Sequence, residues 1–362
     1  MANYPFRLWT WDEVREQLQA KPAMLLGNGS SRAIWDRFKY ESLFEVAQQL
    51  ANEDQRLRTV DIDLFDRLGT QCDFEAVLYS LAVATSVMKI TECSTDDVRN
   101  LEEIDKRIRE SLIQAVNEVH IPPSRLPDSV LDSMGQDLKN YCQVFSLNYD
   151  LLLYWAVNRL EERERNATTD GFHNDEEGRL SFDPSFFDFS FNRKATRIYY
   201  LHGGIHLYIT VNRTVCKHTS DEGRGLLSTF GLKHPDFPTV PLFVTEGEGV
   251  LKRRKILRSS YLSSAYEELV DFDGPVVIVG CSLGQPDRHL VEALTEPRGR
   301  KRQLAVSVYP ERDEEEVGKD MRRHFSDLGA VGEPFFFDSR THPFASPELR
   351  VSPEERSGYS GF

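Results

Sequence analysis

Four short apolar runs, each closing on a cluster of turn-forming and polar residues, constrain this chain more than any other feature. Residues 23–26 run into Gly27-Asn28-Gly29-Ser30-Ser31-Arg32, and residues 144–145 into Ser146-Leu147-Asn148-Tyr149-Asp150. Residues 198–201 run into His202-Gly203-Gly204, and residues 276–279 into Gly280-Cys281-Ser282-Leu283-Gly284-Gln285-Pro286-Asp287. An apolar run without polar alternation marks a strand buried on both faces, as in a parallel sheet. Each cluster then falls at the carboxyl end of its strand, the edge at which open α/β proteins bind ligands.

Helical spacing fills much of the rest. Residues 42–50 read as a helix, and Phe74, Val77, Leu78 and Leu81 share one face of another. Residues 95–120 read as a long charged helix, capped by Ser94 or Thr95 and stopped before Pro122-Pro123. The stretch 70–141 therefore reads as an α-helical module inserted after the first βα unit. Further strands are expected at 242–244 and 304–309, a short hairpin strand at 205–210, and helices across 246–270, at 288–294 and at 314–328. This alternation predicts an α/β fold: a Rossmann-like parallel sheet with helices on both faces and an inserted α-helical module, in one domain over 1–362. Residues 161–196 are expected to form a surface excursion or lid, 212–240 a loop, and 341–362, rich in Ser, Pro, Glu and Arg, a flexible tail.

Charge narrows the partners. A formal net charge of -14 argues against an extended nucleic-acid surface, which needs clustered Lys and Arg. The basic run Lys252-Arg253-Arg254-Lys255 is short, and reads as a solvated helix face or as a contact to a phosphate. No window approaches the ~20 apolar residues of a spanning helix, so a cytoplasmic protein without a membrane segment is expected. The five cysteines, Cys72, Cys93, Cys142, Cys216 and Cys281, form no Cys-x-x-Cys pair and read as reduced thiols rather than a disulfide framework or metal site.

Residue chemistry alone leaves two readings of the polar clusters. Asn148 and Asp150 suit the start of a helix, where a side-chain oxygen caps the first turn and a negative charge complements the dipole. His202, between a strand and two glycines, is placed at a cleft where an imidazole of ordinary pKa near 6.5 accepts protons. The other histidines singled out, His206, His218, His234 and His289, lack such a setting and read as structural. Gly27 and Gly29 permit a tight turn and close backbone approach, with the following helix directing amide groups at an anion. Ser282 and Asp287 suit a helix start around Pro286.

In their order along the chain, over about residues 23–295, the four clusters resemble the sirtuin-like family of NAD-binding proteins, in its divergent bacterial branch. The resemblance implies an NAD hydrolase that cleaves the nicotinamide–ribose bond to give nicotinamide and ADP-ribose. It implies that Asn148 contacts the nicotinamide ribose and helps position the attacking group, and that His202 is the catalytic proton acceptor. It further implies NAD binding by Gly27, Asn28, Gly29, Ser30, Asp150, Gly280, Ser282 and Asp287, with Gly27, Gly29 and Ser30 at the pyrophosphate and Gly280-Cys281-Ser282 on the adenosine side. The family often has Ala where Asn28 stands, and Arg32 stands where dinucleotide dehydrogenases have a third glycine. Deacetylating sirtuins carry a four-cysteine zinc module that this chain cannot build. Other activities implied are NAD-dependent deacylation or ADP-ribosyl transfer, or a non-catalytic regulator binding NAD or ADP-ribose. Bacterial relatives often serve in antiphage defence, which implies a homo-oligomer or a defence-system partner protein.

Overall fold

A computed structural model of the protein describes residues 7–39, 43–68, 74–187, 194–210, 212–218, 239–244, 249–284, 287–295, 302–310, 321, 323–325 and 334–352. Strands β1 (Ala23–Leu26), β2 (Gln143–Ser146), β3 (Thr168–Thr169), β6 (Thr196–Tyr200), β10 (Val276–Val279), β11 (Leu304–Val308) and β12 (Phe335–Asp338) form a parallel sheet in the order β12-β11-β10-β1-β2-β6-β3. A second, antiparallel sheet has the order β4-β5-β8-β7-β9, from β4 (Phe172–Asn174), β5 (Leu180–Phe182), β7 (Gly203–Thr210), β8 (Val215–Lys217) and β9 (Thr239–Phe243).

The four apolar runs become four adjacent strands. Leu26 is in register with Val279 of β10 on one side and Ser146 of β2 on the other, and Ser146 with Tyr200 of β6. The clusters that follow them therefore stand side by side along one edge. From β1 the chain builds outward through β2 and β6, then returns to build β10, β11 and β12 on the opposite flank. The direction reverses between β1 and β10, the crevice where doubly wound sheets take their ligands.

Burial explains why these strands lack polar alternation. Met24, Leu25, Val144, Phe145, Ile198, Tyr199, Val277 and Ile278 are all fully buried, each such side chain contributing roughly 1.5–3 kcal/mol. The helices Leu152–Arg163, Ser260–Asp271 and Arg288–Thr295 supply apolar residues to the same core. Among the described residues no helix is long and apolar enough to cross a membrane.

A second core lies under the helices Leu43–Gln48, Thr59–Arg67, Phe74–Ile90 and Thr95–Val119, with Phe44, Phe65 and Phe74 packed ring to ring. It closes onto Ile205, Val240 and Phe243 of the antiparallel sheet. The ion pair of Arg107 with the buried Asp61, at 2.6 Å, ties the long helix to Thr59–Arg67, while Arg109 pairs with Asp105 one turn away on the long helix itself, at 2.9 Å.

Several expectations differ from what is found. The core under the helices of 70–141 also takes in Leu43–Gln48, expected separately at 42–50, and Thr59–Arg67, for which no helix was expected; residues 70–73 lie outside the described residues. Residues 161–196, expected as an excursion, supply β3 to the main sheet and β4 and β5 to the second. Phe243, expected in the parallel sheet, sits in β9 against β7. Residues 341–352 are no flexible tail, because Phe344 and His342 are fully buried; 353–362 lie outside the described residues. The helix expected at 314–328 falls outside them too, apart from 321 and 323–325.

Two buried histidines make the fold acid-sensitive. His120 Nε2 accepts from the Leu151 amide at 2.9 Å, so Nδ1–H donates to the Ile121 carbonyl. His342 Nδ1 accepts from the Phe344 amide at 3.1 Å, leaving Nε2–H for the Tyr141 hydroxyl. A second proton on either ring would set N–H against N–H, and burial itself disfavours the charge, lowering His120 to about 4 and His342 to about 3. The unfolded chain binds these protons below about pH 6.5, so stability falls as pH drops from there toward the folded values. Asp137, raised to about 6 by burial, works in the opposite direction and offsets part of the loss. Between pH 7 and 5 a net loss of a few kcal/mol is expected. The melting temperature over that interval checks it, and an unchanged value would contradict the assignment.

Candidate functional site

A cavity of about 1340 Å³ opens over the carboxyl ends of β1, β2, β6, β10 and β11. Gly27, Asn28, Gly29, Asn148, Asp150, His202, Gly280, Ser282 and Asp287 all line it. Ser30 stands behind the wall, its hydroxyl donating to the Gly27 carbonyl at 2.7 Å.

The glycines close two loops on each other. Gly27 N–H donates to the Val279 carbonyl at 2.8 Å, and Gly29 N–H to the Gly280 carbonyl at 2.7 Å. Gly280 has φ of 65°, and a Cβ there would lie 2.3 Å from the Ser30 nitrogen. A Cβ on Gly29 would lie 2.8 Å from the Gly280 Cα. The glycines therefore let the two loops close on each other, and the Gly29 amide is bonded to the neighbouring loop. Leu283 in the same loop is buried with φ of 48°, a left-handed conformation costing roughly 1–2 kcal/mol.

Asn148 sits in a network that fixes its side chain. Nδ2 donates to Ser31 Oγ at 2.9 Å and to the Gly27 carbonyl at 3.2 Å. A carbonyl can only accept, so the NH2 group faces Gly27 and the amide orientation is determined. Oδ1 is left buried without a hydrogen-bond partner. Ser31 Oγ in turn donates to Asp150 Oδ2 at 2.6 Å, while Asp150 Oδ1 accepts from the Leu152 amide at 2.9 Å. Asp150 thus supports the helix start, as residue type suggested, and also anchors Asn148 through Ser31. Its burial raises its pKa, with the Ser31 and Leu152 bonds opposing.

His202 is held where the two sheets meet. β6 passes through Leu201 and His202 directly into β7, with Gly203 at φ of 73° against the Leu242 carbonyl and the Val244 amide donating to the His202 carbonyl at 2.7 Å. Its ring faces another histidine: His202 Nε2 and His289 Nε2 are 3.1 Å apart. Burial, with the positive charges of Lys252 and Lys255 and the neighbouring His289, puts its pKa well below the ordinary value. Burial also lowers His289 to about 4, against an opposing pull from Asp287. Lys252 is nearly buried and pairs with Asp287 Oδ1 at 3.1 Å. Cys281 is pushed up to about 12 by burial, so its thiol stays protonated at neutral pH.

Sequence reasoning took His289 as structural and placed Lys252 on a solvated face or at a phosphate. The pattern of buried His289, Leu290, Ala293 and Leu294 gives the helix its inner face, and His289 on that face was the available signal. Arg32, Arg323 and Arg350 also line the cavity, with Arg350 paired to Asp36 at 3.7 Å. Among the described residues no group of three or more His, Cys, Asp or Glu side chains is placed to hold a metal ion.

Residues 24–343 match the family described as Domain of unknown function (DUF4917). The chain belongs to this family. The matched span starts within β1, ends beyond β12, and contains every candidate site residue named above, Arg350 excepted. No curated protein matches the sequence.

Proposed function

We propose that the protein hydrolyses NAD at the nicotinamide–ribose bond, releasing nicotinamide and ADP-ribose. The observation that carries this reading is that Asn148, whose buried Oδ1 has no hydrogen-bond partner, and His202 line one cavity at the switch point of a parallel sheet. An acceptor oxygen held this firmly suits a ribose hydroxyl, which would otherwise leave it unsatisfied. In the reaction the C–N bond breaks with both electrons to the nicotinamide ring, which departs neutral. Water adds to the ribose carbon, becomes strongly acidic as its oxygen bonds to that cationic centre, and loses a proton. Arg32 and Arg323 supply positive charge for the pyrophosphate, a role the bonded Gly29 amide cannot take.

Deacylation, ADP-ribosyl transfer and non-catalytic NAD sensing are the competing readings, and a role in antiphage defence rests on the sirtuin-like resemblance. The deciding experiment incubates purified protein with NAD and follows the products by chromatography, with calorimetry of NAD binding alongside. Nicotinamide and ADP-ribose in equal amounts are expected. Nicotinamide without free ADP-ribose indicates transfer, binding without turnover indicates a sensor, and absence of both binding and turnover overturns NAD as the ligand.

A further inference from the structure

We infer that His289 holds His202 in one neutral tautomer, so that His202 presents an N–H donor to the cavity rather than a lone pair. The inference rests on the NAD reading for the identity of the ligand, but its geometry is independent of it. Two imidazole nitrogens 3.1 Å apart form a hydrogen bond only if one of them carries a proton and the other does not. The ring centroids lie 5.3 Å apart with planes inclined by 27°, so the rings meet nearly end to end, as an N–H···N bond requires.

His289 decides which ring donates. Its Nδ1 is buried and has no partner. A proton placed there would be a buried, unsatisfied donor, whereas a lone pair in the same position is tolerated more readily. The proton of neutral His289 therefore belongs on Nε2, pointing at His202. His202 Nε2 accepts it, and the proton of His202 must then be on Nδ1, the nitrogen left for the cavity that His202 lines.

The surroundings keep the pair neutral. Lys252 and Lys255 act on His202 from the helix Gly249–Arg258, and Lys252 and Arg253 act likewise on His289. Asp287 provides the opposing charge, and the Tyr266 hydroxyl, donating to the His289 carbonyl at 2.9 Å, fixes the backbone behind it. This role is the reverse of the proton acceptor expected from the sequence. A neutral imidazole donor polarises or orients an acceptor oxygen of the bound ligand, such as the carboxamide oxygen of the departing nicotinamide, without taking a proton from water. His289, which acts through His202 and is not among the residues lining the cavity, is a positioning residue.

Nitrogen NMR of protein labelled with ¹⁵N-histidine tests the assignment directly on the wild type. Expected are Nδ1–H on His202, Nε2–H on His289, and a coupling between the two Nε2 nuclei across the hydrogen bond. Nε2–H on His202, or no coupling, overturns the inference even if NAD is cleaved. Confirmation of the tautomers in a protein that leaves NAD intact overturns the hydrolase reading instead. If NAD is cleaved, His202→Asn separates donor from base, because the Asn amide places an N–H near the Nδ1 position but cannot take up a proton. Retention within about tenfold of wild-type kcat is expected, and a loss as deep as that of His202→Ala contradicts the donor role. His289→Gln should preserve the tautomer and His289→Leu release it, with both melting temperatures recorded.

Discussion

Asn148→Ala and His202→Ala are each expected to lower nicotinamide release by about 10²–10³-fold, the loss typical of removing one well-placed polar group from a closed site. The two substitutions should differ in their effect on stability. Asn148 Nδ2 holds Gly27 and Ser31 together, so truncation leaves buried partners unsatisfied and costs roughly 1–3 kcal/mol. His202→Ala removes one ring from a pair whose other member, His289, is already short of partners. Activity must therefore be read beside melting temperature and binding of ADP-ribose. Near wild-type cleavage by a folded His202→Ala protein would remove this residue from the reaction. For Asn148, equal losses of ADP-ribose binding and of activity would indicate collapse of the wall rather than lost alignment of the ribose.

The second large effect concerns Gly280. Replacing it by Ala introduces a Cβ 2.3 Å from the Ser30 nitrogen at a backbone φ of 65°. Neither backbone can retreat, because Gly29 N–H is bonded to the Gly280 carbonyl and Gly280 N–H to Ser307 Oγ at 2.9 Å. A loss of at least ~3 kcal/mol is expected, lowering the melting temperature by roughly 5–10 °C or preventing recovery of soluble protein. Gly178 is the control. It has φ of 76° but no atom within 4 Å of an added Cβ, so Gly178→Ala should show only the conformational strain, roughly 1–2 kcal/mol. Equal losses at both positions would mean that contact between the loops adds nothing. By the same logic Gly29→Val is a poor probe of pyrophosphate binding, since its Cβ meets the Gly280 backbone before any ligand.

The parts of the fold legible in the sequence were those where burial on both faces forces a residue pattern. Val276–Val279 has no polar option, and its turn at Gly280 has no bulky one. The antiparallel sheet was harder to foresee because its strands follow no such rule. β7 carries a buried His206 amid apolar residues, and β4, β5 and β8 are three residues each. β3 has only two residues, both half-buried, and owes its place to pairing with β6 rather than to its own composition. Pro347 and Ser346 suggested a tail, yet a few residues earlier His342 is buried against Trp11 and Tyr141, and Phe344 against His342.

The site shows the same division. Asn148 and His202 were visible because each directly follows a buried strand. Lys252 and His289 come from helices separated from those strands by long connections, and only packing reveals that they meet at the same point. At the glycines the close approach that the structure shows is between two backbone loops.

Because β1 takes its neighbour β10 from some 250 residues further along, the order of synthesis matters. When a ribosome has delivered everything through β7, Asn148, Asp150 and His202 already exist, and Ser31 can already tie the first two together. The loop that locks onto Gly29 and the imidazole that meets His202 are still to come. Pairing across so large a separation in sequence is slow to establish. A nascent or prematurely terminated chain therefore carries Asn148 and His202 without the structure that orients them, and the proposed activity, if it depends on that orientation, arises only when nearly all of the chain has been made.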